Sequence, residues 1–111
     1  NILEISDGTY ALAVKAREGT LSPDEVSGGT FTISVLGTVD GFTPILNASQ
    51  NAILGVGRVV KKPIVKDDQM VIREMITVSL TVDHQAIDGA VAAAFLGRLK
   101  EILEHPGSLF K

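Results

Sequence analysis

Two residues four positions apart carry the most evident chemistry in this chain: His84, a titratable imidazole, and Asp88, a carboxylate followed by Gly89. An imidazole ionises near neutral pH, so it can take a proton from a thiol or hydroxyl and later return it. Each residue also has quieter readings. His84 is open to being a satisfied core histidine, or one of two metal ligands. A third ligand is not in view, since His105 lies beyond in a Glu-His-Pro turn. Asp88 stands just before an apolar-periodic segment and makes a good helix N-cap. Ser34 is a small hydroxyl inside an apolar run and by itself says little.

The elements that must position these groups follow from periodicity. Ile76, Val78, Leu80 and Val82 alternate with Thr77, Ser79, Thr81 and Asp83, the period of a half-buried strand that delivers His84 at its end. From Asp88 to Glu104 the apolar residues Val91, Ala92, Phe95, Leu99, Ile102 and Leu103 recur at helical spacing, until Pro106-Gly107 stops the helix. Thr30 to Leu36 (TFTISVL) is β-branched and aromatic, hence a strand holding Ser34. Ala52 to Val60 is a further buried strand, in which Gly55 and Gly57 mark a bulge or a close backbone approach. Its Gly-x-Gly is not a dinucleotide fingerprint, because neither a third glycine nor a helix follows. Lys66 to Gln69 is a polar turn that folds Met70 to Val82 back as an antiparallel hairpin. Gly37 to Gly41 is a loop that leads through Pro44 to the polar turn Asn47 to Gln50, a segment suited to wall a site. Nearer the start, Tyr10 to Arg17 form the end of a helix that Gly19 caps, and Ser22-Pro23-Asp24-Glu25 is a capping box opening a short helical turn. Helices flanking a set of strands make this an α+β chain.

Composition narrows the partners. The 111 residues are 45% hydrophobic and carry a formal net charge of -3, enough for one core but without a basic stripe for nucleic acid or a cationic helix for a membrane surface. No apolar run approaches the ~20 residues of a membrane-spanning helix, and the first residues lack the charged start and apolar centre of a signal peptide. Cysteine is absent, which removes disulfides, thiolate metal sites and a cysteine nucleophile from this segment. Any thiol chemistry must use thiols that substrates bring.

Taken in order, TFTIS at 30–34 with Leu36-Gly37, FTPI at 42–45, AILGVG at 52–57, Asp83-His84 and Asp88-Gly89 resemble the dihydrolipoamide acyltransferases. These are the catalytic core components of the 2-oxo acid dehydrogenase complexes, pyruvate dehydrogenase among them. The resemblance runs from about Ala16 to the C-terminus. The family is similar to chloramphenicol acetyltransferase, with which it shares His-x-x-x-Asp-Gly. The resemblance therefore implies a two-layer α/β sandwich with a mixed, largely antiparallel sheet and packed helices, of which residues 1–111 form the C-terminal part of a domain about twice as long.

It also implies roles. His84 matches the general base, Ser34 the hydroxyl that stabilises an oxyanion, and Asp88 the motif position that holds the histidine's loop. The substrates implied are coenzyme A and an acyl group, acetyl by the leaning of FTIS-x-Leu-Gly, on a lipoyl arm carried by a separate domain; no metal is implied. The partners are further copies forming a homotrimer with the active site between subunits, then a larger shell, the lipoyl domain, and the decarboxylase and dihydrolipoamide dehydrogenase components. The location is cytoplasmic, or the mitochondrial matrix in a eukaryote. In that family an apolar C-terminal end joins trimers across a two-fold axis, the place that Leu109 and Phe110 take here. Gln85 departs from the family's usual arginine, Ala48-Ser49 from a common Pro-Pro, and the Gly37 to Phe42 loop is slightly short. A second reading, from a different class, is a scaffold piece of the same core that builds the oligomer without turnover.

Overall fold

The computed structural model describes residues 1–110, which divide into two units: 30–92, and 1–29 together with 93 onward. The first of these holds the strands. β1 (Thr32–Val35) pairs in parallel with β2 (Ala52–Val56), and β2 pairs antiparallel with β5 (Val78–Val82), giving the order β1-β2-β5. β3 (Val60–Lys66) and β4 (Gln69–Met75) form a separate antiparallel hairpin. The mixed, largely antiparallel pairing that the family resemblance implies is present. The Lys66 to Gln69 turn is confirmed as well: Asp67 and Asp68 both have positive φ, 52° and 61°, as a two-residue turn of the hairpin type requires.

Within β5 the alternation of residues 78–82 places side chains as expected. One face of the three-stranded sheet carries the rows Thr32/Ile53/Thr81 and Ser34/Gly55/Ser79, and the other carries Ile33/Leu54/Leu80 and Val35/Val56/Val78. The buried apolar side chains gather on the central strand, at Ala52, Ile53 and Leu54. On the aliphatic face, by contrast, Ile33 and Val35 at the edge are 62% and 64% exposed.

Two expected strands are shorter than the apolar runs that announced them. The run Ala52 to Val60 leaves the sheet after Val56, its last residue opening β3, and Met70 to Val82 breaks at Ile76-Thr77 into β4 and β5. Of the two readings of the glycines, close approach is the one found. The Gly57 N–H donates to the Thr77 carbonyl at 3.0 Å, one position beyond the β2–β5 register, and the Arg58 N–H then donates to the Val39 carbonyl at 2.8 Å, so from Arg58 on the backbone is tied to the passing loop. A Cβ at Gly57 would collide with the Asp40 carbonyl.

In the second unit, α1 (Ile2–Glu18) extends further back than its expected end segment. Asn1 caps it, its side-chain oxygen accepting from the Glu4 N–H at 3.0 Å, which offsets the poor helix formers Asp7, Gly8 and Thr9. Gly19 ends it at φ 72°, as expected. The capping box also forms: the Glu25 N–H donates to Ser22 Oγ at 3.3 Å and the Ser22 N–H to Glu25 Oε1 at 2.9 Å, opening a 3₁₀ turn at Asp24–Val26. The Ser22 backbone donor first, and then the Lys15 ammonium 2.9 Å away, hold the Glu25 carboxyl down to about 2. α2 (Gly89–Glu104) matches its apolar period and starts in the strand-bearing unit. The tail is not featureless, because Pro106–Phe110 winds into a 3₁₀ turn in which Leu109 and Phe110 stay exposed. Lys111, the last residue of the expected joint, lies outside the described residues.

Candidate active site

Why His84 stands where it does is a matter of strand ending and turn chemistry. The Asp83 N–H makes a last cross-strand bond to the Asn51 carbonyl at 2.9 Å, and then the chain coils around Asp83. The Asp83 carbonyl accepts from the N–H groups of Ala86 and Ile87, each at 2.9 Å, while its Oδ1 accepts from the Gln85 N–H at 2.9 Å. That local bonding pattern is what an aspartate two residues ahead of a turn amide makes. It holds the backbone on both sides of His84 and leaves the imidazole exposed, without a hydrogen-bond partner among the described residues.

Asp88 serves the helix. Its Oδ1 accepts from the Val91 N–H at 3.0 Å and its carbonyl from the Ala92 N–H at 3.1 Å, an N-cap for α2. The capping reading is thus the one seen, and the grip on the histidine turn comes from Asp83. His105, set aside as a third ligand, places its Nδ1 3.2 Å from the Glu101 carbonyl at the end of α2. Among the described residues no group of three or more His, Asp or Glu is placed to hold a metal ion, and no helix is long and apolar enough to cross a membrane.

Ser34 sits half-buried on β1 and opens onto a concavity of about 370 Å³. Thr32, Ser34 and Ile53 supply its floor from the sheet, and Phe42, Pro44 and Asn47 its wall from the loop between β1 and β2. The wall lies so close because Gly55 has no side chain: a Cβ there would be 3.0 Å from both Phe42 Cζ and Pro44 Cδ. The loop is also fastened by an ion pair between Arg58 Nε and Asp40 Oδ1, and this guanidinium keeps the Asp40 carboxyl below the usual carboxylate range. The segment expected to wall a site lines this concavity through Phe42 to Asn47.

One chain does not bring Ser34 and His84 together. Ser34 shares a row with Gly55 and Ser79, whereas His84 lies five residues further along the strand and two strands across. At ~3.3 Å per residue and ~4.8 Å per strand, that is roughly 15–20 Å. Sequence reasoning gave no role of their own to Asp83, Thr32, Asn47, Thr81, Asp40 and Arg58, although Asp40 and Asn47 lie in the segment expected to wall a site. A signal existed only for Asp83, whose position before the turn follows a local rule; the other five act on partners 15 to 37 residues away.

The family described as 2-oxoacid dehydrogenases acyltransferase (catalytic domain) matches residues 1–111. A dihydrolipoyllysine-residue acetyltransferase component of pyruvate dehydrogenase complex from Staphylococcus aureus is 45% identical over 108 residues, covering 96% of this chain and 25% of that protein. Among solved structures, the Azotobacter vinelandii dihydrolipoamide acetyltransferase superposes with a TM-score of 0.89 at 39% identity, over 100% of this chain and 46% of that one. The cubic core of a pyruvate dehydrogenase multienzyme complex gives 0.84 at 41% identity, over 93% and 43%. The chain thus spans about a quarter of the length of the curated relatives and under half of the solved cores, and it has their fold. It belongs to the 2-oxoacid dehydrogenase acyltransferase catalytic-domain family.

Proposed function

We propose that this chain is the C-terminal part of an acyltransferase catalytic domain that moves an acyl group, acetyl in the first instance, between a dihydrolipoamide thioester and coenzyme A. His84 takes the proton of the coenzyme A thiol, an acid of pKa ~8.5 that an imidazole can deprotonate in the transition state. The thiolate attacks the thioester carbonyl, and the Ser34 hydroxyl donates to the oxyanion as it forms. Collapse expels the dihydrolipoamide thiolate, which recovers the proton from the His84 imidazolium. Asp83 and Asp88 hold the turn and the helix on either side of the base. In the Azotobacter enzyme a serine, a histidine and an asparagine were studied for their role in the mechanism, the latter two four positions apart as His84 and Asp88 are. Fifty positions separate Ser34 from His84, two fewer than separate that enzyme's serine and histidine, in keeping with the short loop after Gly37.

The observation that carries the reading is the gap between Ser34 and His84 within one chain. The base must reach the attacking thiol and the donor the carbonyl oxygen of the same thioester, groups about 3–3.5 Å from one carbon at attack, so two copies each supply half a site, and the exposed aliphatic edge at Ile33 and Val35 supports burial against further protein. Complementation tests it. His84→Ala and Ser34→Ala full-length chains, each inactive alone, should regain about one quarter of the wild-type rate when co-assembled at random, because one site in four pairs an intact serine with an intact histidine. Mixed particles without activity would end the shared-site reading.

The same reading includes a homotrimer built into a larger shell, with a lipoyl domain, a decarboxylase and a dihydrolipoamide dehydrogenase as partners in the cytoplasm or mitochondrial matrix; the solved core of one relative is cubic. The exposed Leu109 and Phe110 are its joint between trimers. Deleting residues 108–111 from the full-length protein should leave trimers and abolish the large particle in sedimentation. A truncated protein that still sediments as the shell would clear the tail of this role.

A further inference from the structure

One transverse row of the three-stranded sheet joins the pocket wall to the strand that carries His84. Thr32 on β1, Ile53 on β2 and Thr81 on β5 face the same side, and the two threonines lie about 9–10 Å apart across the buried Ile53. Both hydroxyls are spent on the loop. Thr81 Oγ1 donates to the Pro44 carbonyl at 2.7 Å, and Thr32 Oγ1 donates to Gln50 Oε1 at 2.6 Å while accepting from Asn47 Nδ2 at 2.9 Å. The segment from Pro44 to Gln50 is therefore strung across the sheet face between two anchors, one at each side. Between them it supplies Pro44, Ile45 and Asn47 to the wall beside Ser34.

We propose that Thr32 and Thr81 are positioning residues that set the wall of the Ser34 pocket, so that the thiol-bearing substrate entering it is held against the Ser34 hydroxyl. Threonine suits the task because its branched Cβ restricts χ1 on a strand, which aims the hydroxyl at a fixed point above the sheet. Ordinary strand packing would be served as well by valine, which has the same shape without the donor. Thr81 stands three residues before His84, so the strand that delivers the base also fixes one end of the pocket wall. The kinetic part of this inference rests on the acyltransferase reading; the anchoring part does not.

Both parts are tested in the assembled full-length protein with Thr81→Val, Thr81→Ser and Thr32→Val. In hydrogen exchange, the amides of residues 45–50 should exchange roughly tenfold faster in either valine variant, the scale of one net hydrogen bond, with the β1-β2 ladder unchanged. Thr81→Ser, which keeps the hydroxyl, should stay near wild type. In acyl transfer, the KM for at least one of acyl-dihydrolipoamide and coenzyme A should rise about tenfold in the valine variants while kcat falls less than threefold, and serine should restore it. Unchanged exchange at 45–50, faster exchange spread through the ladder, or equal behaviour of the valine and serine variants overturns the anchors. Faster exchange at 45–50 with both KM values unchanged overturns their role toward substrate. A wild-type particle with no acyl transfer would refute the enzyme reading instead, and the exchange result would still decide the anchoring.

Discussion

His84→Ala in the assembled, full-length protein is expected to lower acyl transfer by about 10² to 10⁴-fold, the usual loss when a general base is removed, and to leave the particle intact. The first half follows from chemistry. With the imidazole gone, only the small fraction of coenzyme A already ionised at neutral pH can attack, and no group stands ready to protonate the departing thiolate. The second half follows from structure, because the ring is exposed and bonds to no described residue, while the turn around it is held by Asp83 and the helix after it by Asp88. Turnover measured beside sedimentation separates the two. Undiminished transfer would remove His84 from the mechanism and favour the scaffold reading; a broken particle would make it a structural residue.

Ser34→Ala is expected to cost about 10² to 10³-fold in kcat, as loss of one oxyanion donor does elsewhere, with coenzyme A binding nearly unchanged. A donor aimed at charge that exists only in the transition state lowers the barrier without tightening the ground state. The hydroxyl has no partner among the described residues, so alanine orphans none of them and the fold should be insensitive to the change. Kinetics and equilibrium binding on the same variant check it. Weakened binding at normal kcat would assign Ser34 to substrate recognition, and an acylated Ser34 caught by mass spectrometry would replace direct transfer with a covalent route.

The features legible in the sequence are those whose partners lie within a few residues. The alternation through Val78 to Val82, the stop at Gly19, the Ser22/Glu25 box and the Asp88 cap each depend on a local period or a bond spanning at most three or four positions, and each is found as expected. Ser34 and His84 were singled out through the ordered motifs around them. The breaks at Gly57 and Ile76-Thr77 were not legible, because β-prone residues stand on both sides of each, and it is the passage of the Asp40 carbonyl over Gly57 that accompanies the chain's departure from the sheet there.

The sequence by itself determined which groups can do chemistry and on what kind of element each sits, since side-chain type and backbone period are local properties. Tertiary structure alone decided where those groups stand. The strand order β1-β2-β5 and its register put Ser34 and His84 far apart in one chain, and hydroxyls on Thr32 and Thr81 became anchors because the sheet brought Asn47, Gln50 and Pro44 to them from 15 to 37 residues away. A long-range pairing is selected by the burial of the whole sheet around Ile53 and Leu54, and no local run of residues carries that information.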